Sequence, residues 1–231
     1  MPILSVIRSI TRGYSPAESA VFDRFAPTIG EPLWAIAMDA LAPQLRPGLR
    51  VLDVGCGGAH FAMRLLERCP ELELVGVDLS PEQIARARAR TRAARFVEGD
   101  ATDLRFADGE FDLVYSLGSL KHWPDRARGL HECARVLRPG GRLWVMEGDR
   151  GCRRADTRAL IERWRLARAL RPLAIVFFRD LVVGDSLDVD EARGLLAATP
   201  EIAGVVERPT GMPVWVIAGR RVTELSASGP S

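Results

Sequence analysis

Apolar and polar positions along the chain alternate between two rhythms. Short apolar runs at 50–54, 73–77, 95–98, 111–116 and 142–147 have the length and make-up of buried strands. Between them, 59–69, 81–92 and 125–138 carry their apolar residues at helical spacing. This alternation predicts a parallel sheet with helices on both faces. Right-handed crossovers gather the first loops at the C-terminal strand edge, where ligands of open α/β sheets sit.

Two regions flank this core. Residues 16–44 suggest two helices, with start signals at Ser15-Pro16 and Gly30-Glu31-Pro32. Residues 155–198 read as helical, with Leu160, Trp164, Ala167 and Arg171 on one spacing and Arg171-Pro172 as a breaker. A greasy stretch, Ile175 to Phe178, follows, and Asp188-Val189-Asp190-Glu191 opens a further short helix. Glu201 to Glu207 and Val214 to Ala218 look like a closing pair of strands. The expected division is an N-terminal arm and lid helices over 1–44, a ligand-binding core over 45–150 and a helical insert over 151–200. Closing strands over 201–225 and a disordered tail over 226–231 complete it.

The densest chemistry lies in Val51 to Phe61, a strand that runs into Gly55-Cys56-Gly57-Gly58 and then a helix start. Glycines let the backbone turn sharply and let a ligand approach the main chain. The following helix offers unpaired N–H groups. The third glycine of a dinucleotide fingerprint is His60 here, and the Gly-Lys-Ser/Thr of a phosphate loop is absent. Asp53, inside the strand, suits a ligand with a cationic end better than a diphosphate. Asp53-x-Gly55-x-Gly57 resembles the first motif of class I S-adenosylmethionine (AdoMet)-dependent methyltransferases.

Four further segments extend that resemblance. Leu72 to Asp78 ends a second strand in an acid placed to accept from ribose hydroxyls, a role shared with nicotinamide enzymes. Ser80 and Pro81 then cap and start a helix. Gly99-Asp100-Ala101 leaves the third strand in the family's order. Phe111 to Asp125, with Ser116, His122 and Trp123-Pro124-Asp125, and Arg135-Val136-Leu137-Arg138-Pro139-Gly140-Gly141 match its later segments. The resemblance covers about residues 49–148.

It implies a Rossmann-like, doubly wound, mostly parallel seven-stranded α/β sheet under a helical cap. AdoMet would be the cofactor and S-adenosylhomocysteine the product. The implied cofactor contacts are Tyr14 from the arm, Asp53, Gly55, Cys56, Gly57, Asp78, Leu79, Asp100, Ala101, Ser116 and Leu117. Asp100 would accept from the adenine amino group, and the Ala101 N–H would meet a ring nitrogen. The insert and the N-terminal helices would cover the substrate, with Phe177, Phe178, Trp164, Trp123 and Met212 as candidate pocket residues. His122 is the candidate general base, its ordinary pKa being near neutral. Glu147 and Asp149 end the fifth strand and are candidates to touch a polar substrate group.

Composition narrows the substrate. The net charge of +2 gives no reason to expect nucleic acid, and the Asn/Asp-Pro-Pro-Tyr/Phe of base-amine methyltransferases is replaced by Ser116-Leu117-Gly118-Ser119. A small molecule methylated on oxygen, nitrogen or carbon is therefore expected, by a monomer or homodimer. Four scattered cysteines without a C-x-x-C pair and three histidines argue against zinc and for reduced thiols in a cytoplasm. No run of 18 apolar residues suggests a membrane span, so no membrane partner is expected. The apolar, mildly basic start, Met1 to Arg12, reads as an arm rather than a transit peptide or interfacial helix. Three alternatives stay open: a tRNA or rRNA methyltransferase using the arginine-rich insert, a non-catalytic partner subunit, and a nicotinamide oxidoreductase.

Overall fold

The computed structural model describes residues 16–164 and 166–223. The expected arm with Tyr14, and the tail over 226–231, lie outside the described residues.

Seven strands form one sheet: β1 Arg50–Val54, β2 Glu73–Asp78, β3 Arg95–Glu98, β4 Phe111–Leu117, β5 Leu137–Gly148, β6 Ile202–Glu207 and β7 Val214–Arg221. Their order is β3-β2-β1-β4-β5-β7-β6. β7 runs antiparallel to both neighbours, and the pairs from β3 to β5 are parallel. The chain leaves β3 at one edge and re-enters at β4 on the far side of β1. β1 and β4 therefore flank the switch point, where crossovers in opposite directions open a crevice.

Alternation along the strands divides the core in two. Val51, Leu113, Tyr115, Trp144 and Met146 face α1 (Pro16–Leu41), α2 (His60–Arg68) and α3 (Pro81–Arg90). Leu52, Val54, Val114, Val145 and Ile217 face α4 (Arg126–Val136) and α7 (Val189–Ala197). Burial on both faces explains why these strands read as continuous apolar runs. Local capping sets the helix starts: Ser80 Oγ accepts from Gln83 N (3.3 Å), and Asp125 Oδ1 accepts from Arg128 N (3.0 Å).

Three local expectations change. α1 is one helix that passes through both Pro27 and Pro32. Gly30 does not start a second one; a Cβ there would come within 2.6 Å of the Trp34 ring. Trp34 in turn stacks on His60 (5.8 Å between centroids), and Ala37 and Leu41 are buried, so docking holds the helix through its breakers. The second difference is in the cap. α5 (Arg154–Arg163) ends at Trp164, whose ring turns inward against Phe178. The chain resumes in a 3-10 turn, Arg168–Leu170, and α6 (Arg171–Phe177). Pro172 lies in the first turn of α6, where its missing N–H costs nothing, so it begins a helix rather than breaking one. Third, β5 starts at Leu137, before Pro139-Gly140-Gly141 rather than after it.

Candidate functional site

The loops after β1, β2, β3 and β4 converge on a cavity of about 630 Å³ at the C-terminal strand edge. Its first wall is the glycine turn. Gly55 (φ 78°) and Gly57 (φ 50°) adopt left-handed backbone that other residues resist, and Ala59 (φ 64°) joins them as the residue before α2. Gly55 N and Cys56 N both donate to Val77 O (2.8 and 3.0 Å), which fastens the turn to β2. A Cβ on Gly55 would come within 2.1 Å of Ser119 Oγ, so the turn and the β4 exit loop interlock there.

Asp78 ends β2 with both carboxylate oxygens engaged. Oδ2 accepts from Gly57 N (2.8 Å) and Oδ1 from Ser80 N (2.9 Å). Burial raises its pKa, and these two N–H donors pull the other way. Asp53 is deeper still, and Tyr115 Oη donates to its Oδ2 at 2.7 Å. Burial lifts the Asp53 carboxyl from 3.8 to about 7, with the Tyr115 hydrogen bond opposing and the Asp78 charge adding. Cys56 lines the turn, but burial pushes its thiol well above the ordinary range, so it is an unreactive filler. Asp100 and Ala101 form the third wall; Asp100 Oδ1 accepts from the Thr102 amide and hydroxyl, both at 2.8 Å.

The expected residues Asp53, Gly55, Cys56, Gly57, Asp78, Leu79, Asp100, Ala101, Leu117 and His122 all line this cavity. Ser116 does not. It is fully buried behind the wall, with its hydroxyl 2.8 Å from Ser119 Oγ. Ser119 takes the wall position instead and also donates to Val54 O (3.0 Å) while accepting from Trp123 Nε1 (3.1 Å). Of the five expected pocket aromatics and methionine, Trp123 alone reaches this cavity. Trp164, Phe178 and Met212 pack into the core, and Phe177 faces outward. Glu147 is also buried: Oε2 accepts from Lys121 N (3.2 Å) and Oε1 from Gly148 N (2.9 Å). Asp149 is held by Arg208 at 2.5 Å and by Gly151 N at 2.8 Å. Both acids brace loops rather than presenting a free carboxylate.

Residues the sequence did not single out complete the walls: Trp34 and Ala26 from α1, Gln83 from α3, and Gly118, Ser119 and Lys121 from the β4 exit. Gly118 carried the one usable signal, a glycine at the exit of a strand, where the backbone is left-handed (φ 66°). The remaining five are contributed by tertiary placement. His122 closes a 3-10 turn, Leu120–His122, with its N–H on Ser119 O (2.9 Å). The Lys121 ammonium donates to Val182 O, and Arg126 bridges Lys121 O (3.3 Å) to Asp185 O (3.1 Å). The cap is thereby tied to the site loop.

Three observations fit these walls to a sulfonium nucleoside. Leu79, 60% exposed, stands in the cavity as an apolar platform next to Asp78. Gln83, 2% exposed, has an amide with neither nitrogen nor oxygen partnered. The buried acids Asp53 and Asp78 suit a cation, and Lys121, the lysine in the wall, has its ammonium turned to Val182 O in the cap. Among the described residues no cluster of potential metal ligands occurs.

Residues 52–145 match the family model described as a methyltransferase domain. Demethylmenaquinone methyltransferase of Deinococcus radiodurans is 43% identical over 117 residues, which cover 49% of this chain and 47% of that protein. The 27-O-demethylrifamycin SV methyltransferase of Amycolatopsis mediterranei is 41% identical over 105 residues, 43% of this chain and 38% of its own. The chain thus spans about half or less of the length of these curated relatives. Among solved structures, the plantazolicin methyltransferase BamL in complex with a triazolic desmethylPZN analog and SAH has a TM-score of 0.72. That match covers 95% of this chain and 96% of the other at 16% identity, a likeness of fold.

Proposed function

We propose that this chain, whose residues 52–145 match the model of a methyltransferase domain, is a class I enzyme that transfers a methyl group from AdoMet to a small organic acceptor. The observation that carries the reading is Asp78. Its carboxylate is fixed by Gly57 N and Ser80 N at the tip of β2, beside the glycine turn and under an exposed Leu79. That arrangement suits a ribose, with the adenine laid on Leu79 and reaching Asp100 and Ala101. Asp53 and the glycine turn take the cationic amino-acid end.

The bound cofactor supplies a methyl on a positively charged sulfur, already activated for in-line displacement. The protein's share is alignment and exclusion of water. α1 covers the cavity from one side through Trp34, and the loop 118–124 closes it from the other. His122, on that loop, takes the proton that a hydroxyl or amine acceptor gives up. Trp34, Phe61, Leu117 and Trp123 make the walls largely apolar. This favours a ring-shaped acceptor, and hydroquinones are the first class to test, given the demethylmenaquinone relative.

The test is calorimetry with AdoMet, S-adenosylhomocysteine and NADH in parallel, followed by labelled-methyl transfer to a hydroquinone panel. Micromolar binding of the sulfur nucleosides, lost in Asp78→Ala and weakened in Asp78→Asn, is the expected result. Binding of NADH alone, or an Asp78→Ala protein that stays folded and binds AdoMet as the wild type does, overturns the reading. Cofactor binding without transfer to any acceptor in an extract would point to the partner-subunit alternative.

A further inference from the structure

α6, with Leu170 before it and Phe178 after it, carries apolar residues on two faces. Ala174, Ile175 and Phe178 pack inward on the core. Leu170, Leu173, Val176 and Phe177 are 53, 69, 49 and 43% exposed. Leu170, Leu173 and Phe177 are spaced three and four apart, so they share one outward stripe. Among the described residues there are six large exposed hydrophobics, and these are four of them; Leu79 stands in the nucleoside cavity and Val205 on an edge strand. Scattered exposed side chains are ordinary on a protein surface; four within the eight residues 170–177 are not. A helix apolar on both faces is normally covered on both.

Charge identifies what covers it. The segment 151–182 holds eight arginines and three carboxylates, net +5, in a chain of net +2, so the rest of the molecule is net negative. Arg154, Arg158 and Arg168 are exposed. Residues 1–15 contain Arg8 and Arg12 and no carboxylate, so their charge opposes their packing there. A second copy of the chain would bring the same positive surface to itself. RNA would match the charge but leave the apolar stripe in water.

We infer that the outer face of α6, in a cap segment of net charge +5, is a docking surface for an anionic lipid bilayer. The four apolar side chains enter the headgroup boundary, and the arginines take the lipid phosphates. No helix among the described residues is long and apolar enough to cross a bilayer, which is a separate matter from lying on one. The surface lies outside the cofactor cavity, so this inference stands whether or not the methyl-transfer reading does.

The test is co-sedimentation of the full chain with phosphatidylcholine vesicles, with and without phosphatidylglycerol. The expected result is retention on the phosphatidylglycerol vesicles, weakened by salt and small on phosphatidylcholine alone. Leu170→Ser/Leu173→Ser lowers that partition by about tenfold or more, from two lost leucine burials. AdoMet affinity, measured on the same samples, stays at the wild-type value, because neither side chain lines the cavity. No retention by the wild type, or equal retention by the variant, overturns the inference. So does retention that emerges only after removal of residues 1–15, which would make that segment the occupant. A concentration-dependent dimer abolished by the same substitutions, or preferential retention on RNA, overturns it too.

Discussion

Tyr115 Oη donates a 2.7 Å hydrogen bond to Asp53 Oδ2 across the β1–β4 pair, with the two residues in direct register. The contact spans the switch point of the sheet, where the crossovers open toward the cavity. Both residues are on the face that meets α2, and Phe61 closes over the Tyr115 ring edge-on at 5.5 Å. A carboxyl sealed in this way is neutral or charged according to small differences. Burial alone favours the neutral form, the phenol hydrogen bond favours the charged one, and the outcome is a pKa of about 7.

AdoMet affinity is therefore expected to depend on pH through Asp53. A cationic ligand binds the ionised carboxylate better, so affinity rises as pH climbs toward 7 and levels off above it. The slope below the inflection approaches about tenfold per pH unit if binding requires the ionised form. Tyr115→Phe removes the donor that favours ionisation and moves the inflection to higher pH. Asp53→Asn flattens the profile. Calorimetric dissociation constants between pH 5.5 and 8.5 measure all three, and an unchanged slope in Asp53→Asn would sink the assignment.

Stability should move oppositely. The folded-state pKa of Asp53 lies above its unfolded value of 3.8, so the native protein holds a proton that the unfolded chain releases. The contribution is unimpaired below about pH 4 and is lost as pH rises through about 7. Asp53→Asn, which cannot ionise, gains on the wild type over that window. From 3.8 to about 7 the difference is roughly 4 kcal/mol. Denaturant midpoints of the two proteins at pH 4 and pH 8 check it; a gap that does not widen with pH refutes it.

Gly55 offers a sharper geometric test. Its φ of 78° already penalises a side chain, and a Cβ would sit 2.1 Å from Ser119 Oγ and 2.3 Å from Ser119 Cβ. Gly55→Ala is expected to destabilise by roughly 2–4 kcal/mol, combining strain and overpacking. Ser119→Ala does not relieve it, because the Cβ remains. Ser119→Gly does, leaving the strain of the left-handed backbone alone. A double-mutant cycle on thermal midpoints reads the coupling, and additive effects would mean the two loops do not interlock.

Much of this geometry was legible in advance, because the strand–loop–helix rhythm records burial directly. Asp53, Asp78 and Asp100 could be placed at strand ends from apolar runs and turn residues alone. Ser119 could not, because its role comes from the Gly55 contact, which links residues far apart in sequence. Ser116, the nearer polar residue on the strand, drew the expectation and is buried behind it. Gly30 and Pro32 misled for a related reason: local helix-start chemistry was overridden by the docking of Trp34 on His60. The cap misled too, since Trp164 and Phe178 have the size of pocket residues but found each other instead.

The loop that carries His122 holds it in the cavity wall, and the proposed role in proton transfer rests on that placement. The His122 N–H is held on Ser119 O, Lys121 N is held by Glu147, and the Lys121 ammonium is fastened to Val182 O in the cap. The imidazole consequently sits in the cavity wall where the β4 exit meets the cap. His122→Ala should leave AdoMet affinity within about threefold while lowering turnover by about a hundredfold or more, the usual share of a positioned base. Glu147→Gln disturbs the same loop without removing the imidazole, so it should raise KM with a smaller loss of turnover. If His122→Ala retains turnover within about threefold, the proton leaves by another route and His122 only shapes the cavity.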